Sequence, residues 1–255
     1  MSLNVTKFLS SHTEERQDLQ EMISSLPKAI GLLSLSEFQQ YQSFWFDRVS
    51  LEGFILAQQH FQVEPTDIII SSSPKSGTTW LNALAFALVT RHCNDDFNSP
   101  LLTILPHNCL PMLEFGLLQR KSNRIGYQTF LSFPHTPYTC LPKSIQATPG
   151  CKIVYICRDP KDVFVSVWCF HNRITQNPLS LEEALEMFCQ GLSYRGPYWD
   201  HVLEYWNASL ELPEKVLFLK YEEMKSDTAL HLKRLAELRG CPFTMKRAET
   251  LRRKF

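Results

Sequence analysis

The 255-residue chain lacks long apolar runs, an excess of charge of either sign, paired cysteine motifs and any richness in glycine. Each absence excludes a class of protein. No stretch approaches the roughly 18 apolar residues that a membrane-spanning helix needs, so an integral membrane protein is not expected. The start, MSLNVTKFLSSHTEERQDLQ, has no continuous apolar core and turns acidic where a transit peptide stays basic, which predicts a cytoplasmic protein. Lys plus Arg and Asp plus Glu both number 26, so the formal charge is zero, and neither a nucleic acid nor a membrane surface is an expected partner. Eight cysteines are scattered without a C-x-x-C pair, which argues for reduced thiols over a disulfide framework or a zinc site. With 9 Gly and 15 Pro the chain is neither collagen-like nor of low complexity.

What is present is the balance of a soluble globular protein, 44% hydrophobic and 20% charged. A chain of this length buries about 70 to 75% of its unfolded surface, enough for one substantial core. Residues 14–25 are polar and helix-favouring up to Leu26-Pro27, and residues 36–62 carry aromatics, among them Phe44, Trp45 and Phe46, that read first as core. Residues 67–72 (DIIISS) form a short β-branched run between prolines, the pattern of a buried parallel strand. Residues 78–91 then place Trp80, Leu84, Ala87 and Leu88 at helical spacing. The unit recurs. Residues 152–158 (KIVYICR) read as a strand, Asp159-Pro160 as a cap and first-turn proline, and Val163, Val167 and Phe170 as a packed helix face. Residues 216–221 (VLFLKY) give a third strand, with 224–238 helical after it. Strands alternating with helices predict a single α/β domain with a central parallel β-sheet flanked by helices.

Between the first strand and its helix stand Pro74, Lys75, Ser76, Gly77, Thr78, Thr79 and Trp80. A helix N-terminus offers unpaired N–H groups and the positive end of the dipole, so an anion is favoured there. Gly77 lets the backbone approach a phosphate, Thr78 and Thr79 add hydroxyls, and Lys75 adds a mobile charge. The result is a P-loop-like phosphate site. It is not G-x-x-x-x-G-K-[ST], because the lysine precedes the glycine and the first glycine is missing.

PKSGTTW resembles the 5′-phosphosulfate loop of the cytosolic sulfotransferase family, in its plant-type branch. YICRDPKDVFVSVW resembles the family's 3′-phosphate segment, and the resemblance implies phosphate-binding roles for Arg158 and Ser166. Arg supplies a planar fork of donors that stays charged, although an ion pair with Asp159 or Asp162 is the other reading of Arg158. LFLKYEEM resembles the stretch that gives the nucleotide a tyrosine, here Tyr221, and the resemblance implies that Trp80 stacks on adenine and the Tyr221 hydroxyl hydrogen-bonds to it, with ordinary core packing the other reading of either ring. Spacing singles out none of the eight histidines. By resemblance to T-H-x-P-Y-x-x-L-P, the general base is His135, with Pro134 where the family has Thr.

The resemblance implies transfer of a sulfonyl group from 3′-phosphoadenosine 5′-phosphosulfate (PAPS), as co-substrate and without a metal, to a hydroxyl of a small organic acceptor such as a phenol, flavonoid or steroid. His135 and Lys75 would be catalytic. Phe44, Trp45, Phe130, Phe133 and Tyr138 are candidates for the acceptor pocket, with core packing at least as good a reading for each. A monomer or weak homodimer is expected. The resemblance covers roughly residues 17–245 and does not reach the family's late R-K-G-x-x-G-x-W loop. The whole chain is therefore expected to be one sulfotransferase-like domain lacking the C-terminal segment that closes over the cofactor. The eight Lys or Arg from His231 onward read as a solvated helix end or a phosphate-facing tail. The alternative to a working enzyme is a catalytically weak member that serves at most as a nucleotide-binding domain.

Overall fold

A computed structural model of the chain describes residues 17–33, 37–90, 99–110, 130–240 and 242. Most of the basic C-terminal stretch, from residue 243 on, lies outside these described residues. A helix over residues 17–25 leads into three antiparallel strands, β1 (Lys28–Ala29), β2 (Phe38–Tyr41) and β3 (Phe44–Asp47). Gln42 and Ser43 join β2 to β3 with φ of 48° and 72°, the two-residue hairpin whose twist matches that of the strands.

The main sheet contains β4 (Ile68–Ser72), β5 (Phe130–Ser132), β6 (Lys152–Cys157) and β7 (Val216–Lys220), all parallel, in the order β5-β4-β6-β7. The chain leaves β4 for β5 on one side and then crosses to β6 on the other. That makes the carboxyl ends of β4 and β6 the switch point where open α/β sheets bind ligands. β4 is buried along its whole length, since both faces are covered, which is why its sequence does not alternate.

On one face Ile68, Ile70, Val154 and Ile156 pack beneath helices Thr78–Thr90 and Thr228–Leu238, through Leu81, Leu84, Leu88, Leu232 and Leu235. On the other, Ile69, Ile153 and Tyr155 pack with Phe61, Phe133 and Tyr205, the last from helix Tyr198–Glu211. Phe44, Phe130 and Phe133 are core residues, with at most 2% exposure.

Several sequence expectations shift. The buried side of helix Thr78–Thr90 runs through Leu81, Leu84, Ala85 and Leu88, leaving Trp80 and Ala87 half-buried, because the helix meets the sheet about one residue further round. Helix Pro160–Ile174 buries Val163, Phe164, Val167 and His171, whereas Phe170 is exposed and turns toward the loop after β4. Tyr221 opens a short helix, Tyr221–Ser226, rather than ending β7. The expected single helix to 238 is broken at Asp227, whose side chain accepts from Leu230 N–H and caps a second helix.

Candidate active site

Two turns at the ends of neighbouring strands have the same construction. After β4, Ser76 N–H donates to the Ser73 carbonyl at 3.3 Å across Pro74 and Lys75. After β5, Thr136 N–H donates to the Phe133 carbonyl at 3.4 Å across Pro134 and His135. In each, proline is followed by a residue at φ of 64°, Lys75 in one and His135 in the other. Proline second and a left-handed residue third is the pattern of a type II turn, in which glycine or asparagine is the favoured third residue. Both side chains are thus carried on strained backbone, where strain of about 1 to 3 kcal/mol persists only if the surroundings over-determine it. Pro134, with its fixed φ, is the residue that presets this turn.

The loop after β4 runs into helix Thr78–Thr90. Ser76 is fully buried, and its Oγ has no hydrogen-bond partner among the described residues. Gly77 has φ of 107°, and a Cβ on it would stand 2.8 Å from Cδ2 of Tyr221, so only glycine lets the backbone lie against that ring. The Tyr221 ring meets Trp80 edge-on at 5.4 Å and carries the Arg158 guanidinium 4.8 Å over its face. Gly77, Trp80, Arg158 and Tyr221 therefore form one contiguous wall. Thr78 Oγ1 is engaged with Ser72 Oγ at 2.5 Å, and Thr79 is exposed.

Lys75 Nζ lies 4.2 Å over the Phe170 ring. Burial, then the charges of Arg173 and Arg158, push its pKa below the ordinary lysine value. An anion entering between these cations would relieve that repulsion. Arg173 and Phe170 were not singled out from the sequence as site residues, yet Ser166, Phe170 and Arg173 follow i, i+4, i+7 spacing, and that spacing was the available signal. Arg158 Nη2 pairs with Asp162 at 2.9 Å, while its buried Nε has no hydrogen-bond partner among the described residues. The ion-pair reading of Arg158 thus holds alongside its place in the wall. Ser166 is half-buried, with no hydrogen bond to Arg158.

His135 Nδ1 lies 3.1 Å from the Ser72 carbonyl. A carbonyl only accepts, so Nδ1 carries the proton and Nε2 keeps the lone pair. Burial pushes the ring's pKa down to about 4, opposed by the Ser72 bond and assisted by the charges of Arg195 and Lys75. The residue still keeps some exposed surface, which moderates that desolvation.

Helix Tyr198–Glu211 supplies supports that sequence reasoning missed. Tyr198 OH donates to the Arg158 carbonyl. Tyr205 OH donates to the Thr136 carbonyl at 2.8 Å, and Ser71 Oγ donates to the same oxygen at 3.0 Å. His201 Nε2 lies 3.2 Å from the His135 carbonyl. The spacing of 198, 201 and 205 marks one helical face but does not tell where its polar atoms go.

Comparison with known proteins agrees with this arrangement. Residues 65–255 match the family model described as a sulfotransferase domain. The chain is 48% identical over 235 residues to a flavonol 4′-sulfotransferase of Flaveria chlorifolia, covering 90% of this chain and 73% of that protein. A crystal structure of an Arabidopsis thaliana putative steroid sulphotransferase superposes with a TM-score of 0.78 at 41% identity, covering 89% of this chain and 80% of that one. The mouse sulfotransferase SULT7A1 complexed with PAP gives 0.64 at 26% identity, covering 85% and 73%. A parallel sheet with an anion-ready loop at its switch point, matched along most of its length by these proteins, is that of a sulfotransferase, and the chain belongs to the sulfotransferase family.

Proposed function

We infer that this protein transfers the sulfonyl group of PAPS to a hydroxyl of a small phenolic acceptor of the flavonoid or steroid kind. The observation that carries the reading is the loop after β4. It buries a serine hydroxyl without a partner, lays Gly77 against Tyr221, and keeps Lys75 and Arg158 close enough to repel each other. Such a site is incomplete without a polyanion. Unpaired buried polar groups cost free energy, and like charges destabilise one another until an opposite charge arrives. The residues present therefore fit a nucleotide bearing phosphate at both ends. The flavonol specificity of the Flaveria relative and the PAP bound by the mouse enzyme support the choice of acceptor and donor.

In this reading Ser76, Gly77, Thr78 and Thr79 donate to the 5′ end, Arg158 and Ser166 to the 3′-phosphate, and Trp80 and Tyr221 flank the base. The bound donor supplies an electrophilic sulfur and a good leaving group. Lys75 and the N–H groups at the start of helix Thr78–Thr90 stabilise negative charge developing at the 5′-phosphate, as preorganised donors do in phosphoryl transfer. His135 takes the acceptor's hydroxyl proton on Nε2. Its depressed pKa keeps it unprotonated at neutral pH, so the base form is always present. In this reading the chain works as one domain in the cytoplasm, a reading that its scattered cysteines without pairing motifs support.

Calorimetry with 3′-phosphoadenosine 5′-phosphate tests donor binding, and turnover of PAPS against a panel of flavonols and steroids tests the transfer. Lys75→Ala is expected to lower kcat by about 10²- to 10³-fold, the cost of one preorganised donor. Absence of nucleotide binding at millimolar concentration would remove the enzyme reading.

A further inference from the structure

His201 is fully buried between aromatic rings, stacked with Tyr155 and Tyr205 at 5.6 and 5.8 Å and edge-on to Phe44 at 6.1 Å. An apolar ring would fill that space equally well. Instead both imidazole nitrogens are engaged, Nδ1 with Tyr155 OH at 2.8 Å and Nε2 with the His135 carbonyl at 3.2 Å. Because the carbonyl only accepts, Nε2 carries the proton, Nδ1 is the acceptor, and Tyr155 must be the donor. The direction of the chain of bonds is thereby fixed from Tyr155 to His201 to His135.

We propose that His201 is the positioning residue of the His135 turn, its Nε2–H tethering the His135 carbonyl so that the left-handed backbone holds Nδ1 on the Ser72 carbonyl and leaves Nε2 as the base. Three observations converge on it. The His135 backbone lies at φ of 64°, a sparsely populated conformation for a residue other than glycine, which its surroundings help to hold. The next carbonyl, of Thr136, is held by Tyr205 and Ser71, so the exit of the turn is tethered at two successive residues. Tyr198, one turn before His201, holds the Arg158 carbonyl from the same helix. One helix face thus registers the base loop against the loop after β6. The inference rests on His135 being the base, and its test separates the two.

Long-range ¹⁵N NMR of the imidazoles is expected to show His201 protonated on Nε2 and His135 on Nδ1 in the unaltered protein. A His201 protonated on Nδ1 would overturn the proposal without any variant. His201→Asn keeps an acceptor for Tyr155 but does not reach the His135 carbonyl. It is expected to mix the His135 tautomers and to lower kcat about ten- to a hundredfold, part of the ~10²–10⁴ of general-base catalysis, with KM and nucleotide affinity within about twofold. His201→Gln, which places an N–H near the Nε2 position, is expected to restore most of kcat. Tyr155→Phe keeps the stacking but frees the His201 proton to redistribute, and gives a smaller loss of the same kind. It serves if the asparagine variant does not fold. Wild-type kcat and an unchanged His135 tautomer in His201→Asn would sink the assignment. Turnover surviving in His135→Ala would instead remove the base, while the tautomer spectra still report on His201.

Discussion

Gly77 is a residue of the candidate site with little freedom to change. Its φ of 107° and the 2.8 Å approach to the Tyr221 ring act against any side chain. Gly77→Ala is expected to push Tyr221 away from Trp80 and Arg158 and to weaken nucleotide binding at least about tenfold, the equivalent of one well-made contact. Titration calorimetry reads this, and unchanged affinity would show that the wall is not part of the nucleotide site. Asp162 acts in the opposite sense. It holds Arg158 through an i, i+4 pair whose acidic partner is 57% exposed, and such a pair is worth about 0 to 1 kcal/mol. A phosphate arriving at Arg158, as proposed, would displace it at little cost. Asp162→Asn is expected to tighten nucleotide binding by up to about fivefold, an effect that shrinks in high salt. Weaker binding would mean that Asp162 orients the guanidinium rather than competing for it.

At the scale of elements, the site consists of turns set on strand ends. The proline turns after β4 and β5 present Lys75 and His135 from adjacent parallel strands, which the register Ile69↔Leu131 and Ile70↔Ser132 brings side by side. Pro134→Ala loosens the second turn. It is expected to lower stability by about 0.5 to 1 kcal/mol through the unfolded state and to reduce kcat severalfold, with nucleotide affinity unaltered. Thermal melts and steady-state kinetics together check this, and an equal loss of kcat and nucleotide affinity would contradict the separation of the two turns. Strands β4, β6 and β7 were legible as short apolar runs, whereas β5 and the small antiparallel sheet of β1, β2 and β3 were not. The precise face of helix Thr78–Thr90 and the break at Asp227 were not legible either, because helix propensity alone does not sense which side meets the sheet. Likewise Phe170 has the spacing of a packed residue, but the buried stripe of its helix runs through Val163, Phe164, Val167 and His171 and leaves Phe170 exposed beside Lys75.

For the molecule as a whole, the buried histidines set a pH limit. His135 and His201 have pKa values pushed down to about 4 and about 3, chiefly by burial, against an ordinary value of 6.5. Folded-state values below the unfolded ones mean that the unfolded chain takes up protons first as pH falls. Stability is therefore whole above about pH 6.5 and declines toward pH 4, with a limiting slope of about 1.4 kcal/mol per pH unit for each such histidine. His135, being partly solvated, contributes less than His201. The melting temperature is expected to fall steadily from pH 6.5 to 4.5, and His201→Gln is expected to flatten that slope by about one proton. Melts at constant ionic strength measure both, and a melting temperature unchanged between pH 7 and 5 would refute the burial of these rings. The sequence by itself determined the alternation of strands and helices and, through resemblance, which family the chain joins, and it supplied the expectation of an anion site at PKSGTTW and of roles for Arg158, Tyr221 and His135. These are local properties, carried by spacing and by residue types whose chemistry does not depend on distant partners. Only the tertiary structure decided that Gly77 must be glycine because of Tyr221, that Arg173 bears on Lys75, and that Tyr155 and His201 stand behind His135. Those contacts join residues far apart in the chain, and their energies exist only once packing has removed the water between them.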